Sequence, residues 1–582
     1  MSLIQRAKSQ WAQLSWAPLF ALFISFLVIY PIVELIRPPI SNFWELLQEA
    51  IEMPRLGAIL WRTTWLACGS MTLATLIALV LAWCRSNLFG RWGATAQIVA
   101  MVPLVIPPLA GVTGWAFLFS PNVGYLNVAL RELPFFTDIM EGPFDVYTLP
   151  WIIGITAIYL IPYAFVFIQA GLANIDPRLE DAARTSGSSW WGVQCRIVLP
   201  LLRPSLIYGG SVVALLALGQ FTAPLLLGRS KGIDVITTQL YRLTGTTPTN
   251  FPLAELIALP VLLLALVGVV VQRKLLGNQN RFSMASKGIG RGRSQNRWLL
   301  LPIALYCFLL VIPPLIGLLL VAGTPFWGAP IGTSWEWTAF TEVFSSQLMK
   351  QAIFNSLQYS LIATCICIVI CLCTALVTLR TTGRVKVILD FVINLPIAIP
   401  AILFGMGVFA TYALGPITLW FKSVTGYPLY GSGIIIILSY VILVLPHGTR
   451  LVMSGMTQID PKLETAAMVF GSSQTGSVIR ILVPLLRRNL VGSAMLMFIL
   501  CSHEFAASVL LIGPETQVMS TVLYGQWDTG TYPQVAALAL IMVAIALVGL
   551  AVIAVFDGDR IGYRRKGSIA KFFSRRQSVE LS

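Results

Sequence analysis

Charge is what this sequence has least of. Asp, Glu, Lys and Arg make up 11% of its 582 residues, against 57% hydrophobic ones. That is under half the charged share of an ordinary soluble domain, and it excludes a soluble globular protein. Alternating apolar segments are also missing. The apolar residues form continuous runs of about 20, the length a helix needs to cross a bilayer core, and this excludes a transmembrane β-barrel. Histidine occurs only twice, as His447 and His503. The nine cysteines do not form a disulfide set. Cys365, Cys367, Cys371 and Cys373 share one apolar run with no CxxC…CxxC spacing and no histidine nearby, so they read as small helix residues and no metal site is expected. The dipeptide Gly-Lys is absent, which rules out a P-loop on this chain.

The charge that is present is mostly basic, with a net +15. In a soluble protein that would suggest nucleic acid. Here Lys and Arg gather in particular loops, as the positive-inside rule expects, and no nucleic-acid partner is inferred. Twelve spans are expected, at about 16–36, 57–83, 96–120, 150–171, 205–228, 254–273, 298–322, 356–380, 387–413, 433–453, 489–512 and 533–556. The first run follows Arg6 and Lys8 but is long and lacks a small-x-small cleavage site, so it reads as an uncleaved first helix. Basic residues mark alternate loops: Arg85 and Arg91; Arg178, Arg184, Arg196 and Arg203; Arg380, Arg384 and Lys386; Arg450, Lys462, Arg480, Arg487 and Arg488. These loops and both termini are expected in the cytoplasm. An opposite loop holds Glu132, Asp138, Glu141 and Asp145.

The chain repeats itself. Ile175–Pro204 and Ile459–Arg488 share 17 identities in 30 positions without a gap, at an offset of 284. Upstream, VPLVIPPLAG (102–111) matches LPIAIPAILFG (395–405) at an offset of 293, so one half carries about nine extra residues. Six spans fall in each half, with the duplicated segment between the fourth and fifth. The repeats are therefore parallel. The expected organisation is a first half over 1–273, a polar Gly/Ser/Asn-rich linker over 274–297, a second half over 298–556 and a basic tail over 557–582 that flanks anionic lipid.

The duplicated segment is built as a helix, a turn and a second helix. Asp176 and Pro177 form a helix start, and Glu180 and Asp181 lie early, near the positive end of the helix. Ala182 and Ala183 give a small, smooth face. Gly187 can take the left-handed conformation that ends a helix, Ser188 or Ser189 can cap the next one, and Pro200 marks the approach to span five. Asp460, Pro461, Glu464, Ala466, Ala467, Gly471, Ser472, Ser473 and Pro484 repeat the plan. No nucleophile, base or ligand set accompanies it, so the pattern fits docking better than catalysis.

The pattern Glu-x-Ala-Ala, three residues, Gly, nine residues, Ile-x-Leu-Pro resembles the signature of binding-protein-dependent ABC transporter permeases. The first copy fits in full through Glu180, Ala182, Ala183, Gly187, Ile197, Leu199 and Pro200. The second, through Glu464, Ala466, Ala467, Gly471, Ile481 and Pro484, has Val483 in the leucine place. The resemblance covers nearly the whole chain as two fused halves. It implies an all-α type I importer permease fold of about twelve transmembrane helices. It also implies a bacterial inner-membrane location, with each segment acting as a coupling helix on a separate cytoplasmic ATPase, best as a homodimer. That partner binds ATP and magnesium, this chain carries no cofactor and is not an enzyme, and a periplasmic or tethered binding protein supplies the solute. The fused layout, with FTAPLLLG followed by VITTQLY (235–241), is most similar to the iron(III) branch. Thiamine, aminoethylphosphonate and polyamine importers are the alternatives, and a secondary transporter is the rival class. Gln220 and Glu504 occupy matching positions within spans, beside His503, and could line the path. Alternatively, they bond to neighbouring helices. Glu255, near a membrane end, is expected to reach water, and His447 is not expected to be a ligand.

Overall fold

Apolar runs punctuated by proline decide the architecture. The computed structural model describes residues 16–88, 90–134, 141–245, 249–276, 297–330, 335–381 and 383–577. It is 82% helical, with no strand among those residues, as hydrogen bonding in lipid requires of long apolar runs. Ten helices are long and apolar enough to cross a membrane, and two bent pairs bring the number to twelve. The first half contributes α1 (Ala17–Ser41), α2 (Phe43–Glu52), α3 (Leu56–Asn87), α4 (Gly90–Val105), α5 (Pro108–Phe119), α6 (Tyr125–Arg131), α7 (Leu149–Ala173), α8 (Pro177–Thr185), α9 (Trp190–Leu218), α10 (Ile236–Gly245) and α11 (Phe251–Leu276). The second contributes α12 (Leu300–Ala322), α13 (Thr338–Ser345), α14 (Gln347–Arg380), α15 (Arg384–Ala398), α16 (Ala401–Phe409), α17 (Pro416–Thr425), α18 (Gly433–Met456), α19 (Lys462–Val469), α20 (Gln474–Ser502), α21 (Met519–Thr529) and α22 (Tyr532–Gln577).

The structure differs from the expected spans in three places, each with a local cause. Spans three and nine are not straight. They are the bent pairs, turning by 91° between α4 and α5 and by 105° between α15 and α16. The bends fall at Pro107 and Pro400, which lack an N–H and push the preceding residue toward extended backbone; Ile399 has ψ 126°, and Pro107 and Pro400 have ψ 127° and 135°. Spans five and eleven begin early, at Trp190 and Gln474, and end early, at Leu218 and Ser502. Each passes through a π-turn, Gln194–Val198 and Val478–Leu482. These turns lie just ahead of Pro200 and Pro484, whose rings cannot approach the carbonyl four residues back. Finally, α22 runs on to Gln577, through the stretch read as a tail. Linker residues 277–296, Asp138, Arg6 and Lys8 lie outside the described residues. The extra residues of the first half fall between α5 and α7, and Leu149 and Gly433 restore the offset of 284.

Each half has a core of three mutually packed helices, α3, α7 and α9 in the first and α14, α18 and α20 in the second. The second core is tied by thiols: Cys367 and Cys371 contact the Val441 and Leu445 carbonyls, each at 3.7 Å. The first span of each half crosses to the other. α1 packs on α15 and α16, and α12 packs on α5, while each also touches the last span of its own half. Glycines permit these crossings. A Cβ on Gly114 would lie 2.1 Å from the Pro314 carbonyl oxygen, and one on Gly407 would lie 2.4 Å from that of Pro31. Both glycines stand seven residues after the bending proline. Gly114→Leu or Gly407→Leu is expected to cost about 1–3 kcal/mol through overpacking. Thermal melting of the detergent-solubilised protein checks this; an unchanged midpoint would show that the crossing is not tight.

Candidate functional site

Two places in the fold merit description, one at each end of the long helices. The first is the duplicated segment. Asp176 caps α8 by accepting a hydrogen bond from the Arg178 N–H at 2.9 Å, and Asp460 does the same with Lys462. Gly187 and Gly471 have φ of +84° and +91°, the left-handed C-terminal cap. Ser189, not Ser188, caps the next helix through the Gly192 N–H, and Ser473 does so through Gly476. The two alanines in each copy are not equivalent: Ala182 and Ala466 are exposed, whereas Ala183 and Ala467 are half-buried. The outward face is less bare than the alanines suggest. Leu179 and Trp191 stand out beside α8, and Leu463, Val469 and Phe470, the last 91% exposed, stand out beside α19.

The glutamates differ between copies. Glu464 is 1% exposed, and its carboxylate accepts two hydrogen bonds from Arg380 at the end of α14, at 2.6 and 3.3 Å. Such a paired fork is the strong form of an ion pair, and it fixes α19 to the second core. Glu180 is half-buried. In the first copy, aromatic packing also contributes, with Trp83 at the end of α3 lying edge-on to Trp190 at 5.5 Å.

The second place is where α9 and α20 end. Gln220 and Glu504 sit in the breaks after these helices, and each backbone carbonyl accepts a hydroxyl from the next helix, Thr237 at 2.6 Å and Ser520 at 2.7 Å. The Glu504 carboxylate accepts from the Ala507 N–H, the Ser508 N–H and the Ser508 hydroxyl at 2.7–3.0 Å, so it caps the turn Ser508–Leu511. Gln220 is half-buried, and His503 is buried with no hydrogen-bond partner for Nδ1 among the described residues. His447 lies inside α18, directly after Pro446. Glu255 does not reach water. It is 3% exposed, because the start of α11 is packed against α2 and α10.

Sequence reasoning missed the rings beside these residues. Phe221 and Phe505 stack across the two halves at 5.5 Å. Tyr241 packs on Phe221 at 5.6 Å, Tyr524 on Phe505 at 5.5 Å, and the two tyrosines meet at 6.2 Å. Equivalent residues touch each other, so this quartet lies on the axis relating the halves. The signal was present in the paired Phe of QF and EF and in the shared tyrosine of VITTQLY and VMSTVLY (518–524). Beyond the quartet, Arg229 donates to Asp528 at 2.6 Å and to the Tyr524 hydroxyl at 3.2 Å. Lys231 pairs with Asp145, whose carboxylate raises the lysine pKa.

A chain of paired cores, with like segments at one end and a shared aromatic seal between the halves, has the build of a membrane permease. Residues 74–276, which include α8, match the family described as binding-protein-dependent transport system inner membrane component, and over most of its length the chain is similar to ABC transporter permeases. A ferric transport system permease protein of Actinobacillus pleuropneumoniae is 24% identical over 92% of this chain and 76% of its own length. A probable ABC transporter permease protein of Sinorhizobium fredii is 23% identical over 94% of this chain and 95% of its own. A sulfate transport system permease protein of Escherichia coli is 26% identical over 42% of this chain and 86% of its own length, so it corresponds in extent to one half.

Proposed function

We propose that this chain passes iron(III) across the bacterial inner membrane, received from a solute-binding protein and driven by a separate ATPase. The observation that carries the reading is the duplicated segment: two helices with the same caps and the same glycine turn, each flanked by exposed apolar side chains. α8 and α19 are the seats for the ATPase, which binds ATP and magnesium and, because the seats share one backbone plan, is a homodimer. Glu180, Ala182, Ala183 and Gly187, with Glu464, Ala466, Ala467 and Gly471, are the coupling residues. Among them Ala182 and Ala466 present outward, and Glu464 positions its helix through Arg380. Both termini lie on the ATPase side, in the cytoplasm. Iron(III) is favoured by the ferric relatives, one of which matches 92% of the chain. Gln220, His503 and Glu504 flank the path, with Glu504 shaping the break.

Affinity purification from the native membrane with gentle crosslinking, followed by mass spectrometry and metal analysis, tests this. The expected result is an ATPase together with an iron-loaded binding protein. A binding protein loaded with thiamine, aminoethylphosphonate or a polyamine would overturn the cargo and keep the class. Repeated absence of any ATPase would overturn the docking role and favour a secondary transporter.

A further inference from the structure

We propose that Arg229 and Asp528 form a latch that holds the two halves together at the end of the molecule remote from α8 and α19. The inference rests on the permease reading above. The position follows from chain connectivity. Lys231 pairs with Asp145, four residues before α7, whereas the far end of α7 leads into α8. The 25 residues of α7 separate the two ends by roughly 37 Å at 1.5 Å per residue.

The latch joins the halves through a single nitrogen. Arg229 Nη1, from the first half, donates both to the Asp528 carboxylate at 2.6 Å and to the Tyr524 hydroxyl at 3.2 Å, both in the second. Tyr524 is itself one of the four rings that meet between the halves. The ion pair therefore grips the aromatic seal directly, and the halves cannot part here without breaking it.

The pair is not a by-product of duplication. The aromatic quartet is symmetric, with each ring matched by its repeat partner. The latch is not. Where the first half has GRSKGID (228–234), the second has GPETQ (513–517), with no basic residue. Where the second has YGQWDTG (524–530), the first has YRLTG (241–245), with no acid. An asymmetric ion pair was added to a symmetric closure.

Its strength suits a contact that is made and broken in each cycle. The side chains are 60% and 51% exposed, and an exposed ion pair shifts a two-state population by about two- to fivefold. Loss of the latch will move the resting equilibrium toward the state in which the halves are parted at this end, by that factor.

The test uses the complete transporter in proteoliposomes and reads ATP hydrolysis without binding protein, alongside thermal melting. Arg229→Ala and Asp528→Ala are each expected to raise basal hydrolysis two- to fivefold, with the melting midpoint nearly unchanged. The double alanine variant should do no more than either single one, and the swap Arg229→Asp with Asp528→Arg should return hydrolysis toward the wild-type level. Tyr524→Phe keeps the ring and removes the hydroxyl, and should give a smaller rise. Unchanged basal hydrolysis in the single variants, additive effects in the double, or a swap that restores nothing would overturn the latch. A wild-type complex that hydrolyses no ATP would instead overturn the permease reading, and the latch with it.

Discussion

Glu464→Ala will destabilise the protein by about 3–5 kcal/mol, the usual cost of leaving one member of a buried ion pair without its partner. Glu464 is 1% exposed and the Arg380 side chain 10%, so water cannot readily replace the lost carboxylate. Arg380 is the last residue of α14, a 34-residue helix in the second core. The pair is therefore the point at which α19 is fastened to the second core. Glu464→Gln keeps the shape and one acceptor, and should cost less. Glu180→Ala in the other copy should also cost less, because Glu180 is half-buried and water can reach it. Thermal melting of the three variants in detergent ranks them. Equal losses for Glu180→Ala and Glu464→Ala would show that burial of the second glutamate does not set its importance.

Much of this was legible in the sequence, for reasons that can be named. Apolar runs and loop charge locate spans because lipid leaves a spanning segment few alternatives to a helix. The repeat is readable because Asp-Pro, Glu, Gly and Ser each specify backbone geometry locally, and the caps at Asp176, Gly187 and Ser189 depend on nothing beyond a few neighbouring residues. Three features were not legible. The right-angle bends at Pro107 and Pro400 were hidden because hydropathy is blind to direction: the apolar run continues while the axis turns. The burial of Glu464 and Glu255 depends on which helices lie alongside, and one strand of sequence does not report that. The crossing of α1 and α12 into the opposite half is likewise a matter of tertiary packing. Its trace in the sequence is only a glycine placed seven residues after a proline, twice. Glu504 is the instructive case. An acid in a span suggests a path-lining group, yet its oxygens are occupied by the turn it caps.

The double variant Gly187→Val/Gly471→Val is expected to insert and fold but to lose about tenfold or more of ATP-driven uptake. Both glycines close their helices through the same pair of hydrogen bonds: Gly187 N–H to Arg184 and Ser188 N–H to Ala183, and Gly471 N–H to Met468 and Ser472 N–H to Ala467, all at 3.0–3.1 Å. Their φ values of +84° and +91° disfavour an L side chain by roughly 1–2 kcal/mol per site, and a β-branched one fares worst. Yet a Cβ at either position meets nothing within 4 Å, so no neighbour is displaced and the bundle itself is undisturbed. The strain falls on the angle between α8 or α19 and the span it leads into. Two sites together oppose that angle by about 2–4 kcal/mol, and 1.4 kcal/mol is already tenfold in an equilibrium. The paired Gly→Asn variant provides the control, because asparagine tolerates the left-handed region and should keep most of the activity. Uptake at the wild-type rate in the valine variant, with the chain present in the membrane at normal levels, would mean that the geometry of α8 and α19 does not transmit the power stroke.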